Sequence, residues 1–108
     1  MIKTIKVFDE PEVQNPHGIS ARRLHDSEHG QVMHILLKPG ERIPKHATPM
    51  DIVFFVLEGS GIVEIGNEQV IVSQDTLIEG PANAPHGLVN NESGIFRVLV
   101  IRRPMPKT

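Results

Sequence analysis

The sequence predicts an all-β fold, a sandwich or jelly-roll barrel, and three observations carry that expectation. Nine glycines and nine prolines punctuate the 108 residues at short intervals, and both residue types disfavour helix interiors. No window of about 11 residues or more carries a good helical repeat. Residues 52–57 form an unbroken apolar run bounded by turn residues, too short for a typical helix and suited to a strand buried on both faces.

The elements follow in chain order. Residues 2–8 alternate apolar with polar and predict a first strand, with Ile2, Ile5 and Val7 directed inward. Residues 9–18 contain two prolines and a glycine and form a loop. Residues 19–25 predict an edge strand, 26–30 a turn and 31–37 a second strand of the same hairpin. Lys38-Pro39-Gly40 turns the chain. After His46 comes the central strand, 52–57, rich in Val, Ile and Phe. Gly59-Ser60-Gly61 reverses it into 62–65, and Gly66-Asn67 is a two-residue hairpin turn into 69–72. Residues 75–78 predict another strand. Residues 79–85 form an irregular loop that delivers His86 into an extended segment, 86–89. Residues 96–101 close the fold, and the basic tail, 102–108, is expected outside the core. About nine short strands spaced by turns are the signature of a sandwich or jelly roll.

Composition narrows the classes of function. Hydrophobic residues make up 39% and charged residues 22%, as in an ordinary globular protein. Cysteine is absent, which excludes disulfides, thiolate metal sites and cysteine nucleophiles. A net charge of -2 argues against nucleic acid as a partner. No stretch approaches the roughly 20 apolar residues of a membrane helix. The N-terminus lacks the apolar region of a secretory signal, so a cytoplasmic location is the default expectation. The chain is expected to form one domain, 1–108. Its N-terminal strand and loop cover 1–18.

Two spaced motifs stand out. Gly40, His46 and Gly59 form the first; Pro81, Asn83, His86 and Asn90 form the second. Both resemble the motifs of cupins, and the phrases VFFVLEGSG and PHGLVN are similar to those of small single-domain cupins. The resemblance covers about 31–101 and implies a double-stranded β-helix. It also implies a divalent metal held by three histidines and a glutamate. This chain keeps His46 and His86 from that set. Thr48 stands where the second histidine is expected, and Ile52 where the glutamate is. Asn83 and Asp75 replace motif glycines; asparagine tolerates the left-handed conformation. Asp51 or His34 is a candidate third ligand, Asp51 requiring a local bulge to turn inward.

Two functions follow. In the first, a pocket at the barrel mouth, lined by Thr48, Ile52, Phe54 and Asn90, binds a small molecule. His46 and His86 then hold iron, manganese, nickel or zinc, or act without metal as acid and base with Glu79 or Asp51 as partners. In the second, the pocket is a metal-free ligand-binding or accessory module without turnover. No catalytic residue is assigned. His17, His25 and His29 are expected to be solvated, as are Arg102 and Arg103. Strand alternation gives residues 52–57 two apolar faces. One must be covered by another sheet or a second copy, so a homodimer is expected.

Overall fold

The computed structural model describes residues 1–104. It is an all-β, double-stranded β-helix barrel of two antiparallel sheets. Among the described residues there are nine strands: β1 (Ser20–Ser27), β2 (Gly30–Leu37), β3 (Arg42–His46), β4 (Met50–Glu58), β5 (Ser60–Ile65), β6 (Glu68–Ser73), β7 (Leu77–Gly80), β8 (His86–Val89) and β9 (Phe96–Pro104). The five-stranded sheet runs β1-β2-β9-β4-β7 and the four-stranded sheet β3-β8-β5-β6. No helix among the described residues is long and apolar enough to cross a membrane.

The core follows from period two. Ile52, Phe54 and Val56 on β4 are buried, as are Phe96, Val98 and Val100 on β9 and Met33, Ile35 and Leu37 on β2. These inward faces meet Val63 of β5 and Leu88 of β8 across the barrel. The alternate residues of β4, Val53, Phe55 and Leu57, are only half-buried on the outer face.

Two glycines hold the corner between β4 and β5. Gly59 has a φ of 83°. A Cβ on Gly61 would lie 2.4 Å from the Phe96 ring, so the ring takes the space a side chain would need. The motif positions without glycine keep the glycine conformation: Asp75 has φ 67° and Asn83 φ 70°. Asp75 therefore belongs to a turn, and the strand expected at 75–78 begins at Leu77.

The strand expected at 2–8 is not formed. Val7–Asp9 is a short 3-10 helix, and Ile2 and Ile5 are exposed. Without a partner edge, alternation alone makes no strand. Phe8 docks instead on His34, edge to face at 5.5 Å, between the guanidinium groups of Arg22 and Arg97, each 5.1 Å from its ring centre.

β3 is formed where no strand was expected, because Pro44 and three charged or polar neighbours hide it. It is an edge strand, a setting where proline fits a sheet. The tail is also shorter than expected: Arg102, Arg103 and Pro104 extend β9, paired to β4. Residues 105–108 of the expected tail lie outside the described residues.

Candidate functional site

His46 and His86 meet at one end of the barrel. They are cross-strand partners on β3 and β8, and their rings stand 4.7 Å apart between centres, tilted by 54°. The register explains how. Ile43 pairs with Leu88 and His46 with His86, so three steps on β3 match two on β8. The extra residue is a bulge at Pro44-Lys45, and it restores His46 to the face Ile43 occupies. Without it, an odd spacing would turn His46 to the opposite face.

The two rings are held alike. Nδ1 of His86 donates to the Ala84 carbonyl at 3.4 Å, and Nδ1 of His46 to the Pro44 carbonyl at 3.3 Å. A carbonyl only accepts, so each proton sits on Nδ1 and each Nε2 carries a free lone pair. His86 is 5% exposed, and its Nε2 is buried with no hydrogen-bond partner. Burial holds the His86 pKa below the ordinary histidine value; the Ala84 carbonyl opposes this, and repulsion from a protonated His46 and from Arg102 adds to it. Its ring also meets Phe54 edge to face, 5.7 Å between centres.

A cavity of about 210 Å³ opens beside this pair. Its floor is apolar: Ala21, Met33, Ile35, Phe54, Leu88 and Val100. Its rim is the loop segment Asn15, Pro16 and His17, together with Ile43 and Arg102.

Of the residues expected to line the mouth, Phe54 does so, with His46 and His86. Ile52 is buried in the core one pair further along β4. Asn90 is buried at another corner, where its amide donates to Leu37 and Gly94 carbonyls and accepts from the Glu92 amide. Thr48 donates to the Met50 carbonyl at 3.4 Å, and its own carbonyl accepts from Asn83. Neither candidate third ligand joins the pair. Asp51 accepts from the Ala82 amide and from Arg103, and no bulge turns it inward. His34 alternates with Met33 and Ile35 and so faces away from the cavity, accepting at Nε2 from Arg97. Glu79 lies beside Asp51 in a separate surface depression.

A divalent metal therefore finds two donors here, the Nε2 atoms of His46 and His86. Among the described residues no three histidine, aspartate or glutamate side chains form a group that could hold an ion. A resident catalytic metal takes three protein ligands and an open position, so the side chains present do not complete such a centre.

Two contributors escape the sequence reading. His17 is exposed, as expected, and also borders the cavity. Arg102 was expected in a solvated tail and also lines the cavity. The signal for Arg102 is alternation: Phe96, Val98, Val100 and Arg102 share one face of β9.

A barrel of two antiparallel sheets with histidines paired at its mouth defines a double-stranded β-helix protein. The chain belongs to the cupin domain family, whose pattern matches residues 33–102. It is 26% identical over 86 residues to an uncharacterized protein of Methanocaldococcus jannaschii, covering 79% of this chain and 74% of that one. A crystal structure from Thermus thermophilus is similar at a TM-score of 0.80 and 28% identity, covering 94% of this chain and 98% of that one. A polyketide cyclase of Streptomyces resistomycificus shares the fold at a TM-score of 0.82 and 22% identity, covering 100% of this chain and 88% of that one.

Proposed function

We propose that the barrel mouth binds a small molecule against His46 and His86. The observation that supports this is the buried, unpartnered Nε2 of His86 on a ring lining the cavity. A buried acceptor without a donor costs about 1–3 kcal/mol, and a ligand that donates to it recovers part of that cost. The apolar floor would take the body of the molecule and the imidazoles its polar end.

The same two lone pairs support a second reading, in which His46 and His86 hold iron, manganese, nickel or zinc and the bound molecule supplies the missing donors. The absence of a third protein donor among the described residues favours the metal-free reading. Among the described residues no carboxylate stands against either imidazole, which weighs toward binding without turnover over acid–base catalysis.

Metal analysis of protein purified without chelator or histidine tag separates the two. Stoichiometric metal, lost in the His46→Ala, His86→Ala double variant, establishes the metal reading. For the metal-free reading, a panel of small metabolites should include compounds that raise the melting temperature of the wild type and not of the double variant. A panel without effect, together with absent metal, overturns both.

A further inference from the structure

We infer that Arg102 is the anion-binding residue of the barrel mouth, and that the molecule taken there is a small, largely apolar carboxylic acid. This rests on the small-molecule reading above and names its ligand class. Arg102 occupies the inward face of β9 directly after three core residues, a place where an aliphatic side chain would continue the core. It is instead an arginine, opposite Ile52 on one side and Gln31 on the other.

Its guanidinium is only partly engaged. Nη1 donates to Oε1 of Gln31 at 2.7 Å. Among the described residues no carboxylate lies within ion-pair distance of it, although Arg22, Arg42, Arg97 and Arg103 each have one. Burial, with the Arg23 charge second, pulls the Arg102 pKa below its ordinary value, the mark of a cation desolvated without compensation. Among the described residues the Gln31 oxygen is the one acceptor that the five guanidinium donors find.

The surroundings select the partner. The cavity wall carries the Arg102 guanidinium and, among the described residues, no acidic side chain, so its field favours a negative charge. A guanidinium matches a carboxylate two bonds at a time. Its inner wall includes Met33, Ile35, Phe54 and Val100, which suits an apolar body. The volume, about 210 Å³, exceeds the roughly 150 Å³ of a cavity known to hold benzene, leaving room for a ring and one acid group.

Benzoate and benzamide are probes of matching shape that differ in charge. Titration calorimetry of each into the wild type, Arg102→Met and Arg102→Lys proteins tests the assignment, with melting temperatures confirming that the variants fold. The expected result is benzoate binding to the wild type, weakened at least about tenfold in Arg102→Met, partly kept in Arg102→Lys, and reduced by salt. Benzamide should bind weakly and equally to all three. Equal benzoate affinity in wild type and Arg102→Met, or no preference over benzamide, overturns the role of Arg102 and leaves the pocket standing. Binding of neither probe, when neutral metabolites do bind, overturns the acid assignment. Failure of every probe removes the pocket and this inference together.

Discussion

The guanidinium of Arg97 donates to Nε2 of His34 at 3.0 Å, joining two residues on the outer face of the five-stranded sheet. The bond requires the lone pair of a neutral imidazole. Burial, then the charges of Arg97 and Arg22, lower the His34 pKa from 6.5 to about 4. The folded state thus resists protonation that the unfolded chain accepts. Stability is complete above pH 6.5 and falls as the pH drops from there toward 4. The loss should approach about 3 kcal/mol at its limit, and His86, shifted in the same direction, adds to it. Denaturant titrations at neutral and acidic pH should show this slope, and His34→Gln should flatten it. An unchanged slope in that variant would assign the acid sensitivity elsewhere.

His86→Leu is expected to hold or raise stability, by about 1 kcal/mol, because it removes a buried acceptor that has no donor. The same change should abolish ligand binding at the mouth. Such an exchange marks a residue kept for function at a cost to the fold. A clear loss of stability would mean the ring is structural.

Gly61→Ala should be severe. Its Cβ would sit 2.4 Å from one Phe96 ring carbon and 2.8 Å from the Val89 carbonyl. Backbone and a fully buried ring cannot both move aside, so a loss of about 3 kcal/mol is expected. Gly94→Ala, with open space at its Cβ, serves as the mild control. Equal melting temperatures for the two would refute the packing argument.

The homodimer expected from sequence draws its support from the outer face of β4. Val53, Phe55 and Leu57 are half-buried there, and Leu77 on the neighbouring strand is 55% exposed. Sedimentation should find the wild type dimeric and Phe55→Asp monomeric. A monomeric wild type across the concentration range would leave that face without a partner copy.

Most of the barrel was legible because its strands announce themselves by apolar alternation or by an unbroken apolar run, as β4 does. The failures have physical causes. Residues 2–8 have the right pattern and pair with no strand, while β3 has the wrong pattern and the neighbouring β8 to hold it. The two histidines could be located by motif spacing. Their meeting at the mouth was implied by the resemblance, but the bulge that brings it about is not revealed by composition. Arg102 was readable in principle: carrying the alternation of β9 two residues past Val100 puts it at the mouth. Its charge suggested solvent, and tertiary context overrode that preference.

The bulge at Pro44-Lys45 makes the inward aim of His46 a matter of parity. Deleting one residue between Ile43 and His46 would leave two steps on β3 against two on β8, so that plain alternation would hold the imidazole inward with no bulge at all. The bulge thus absorbs one surplus residue, and a relative shorter by that residue would carry the histidine on the same face by ordinary strand geometry.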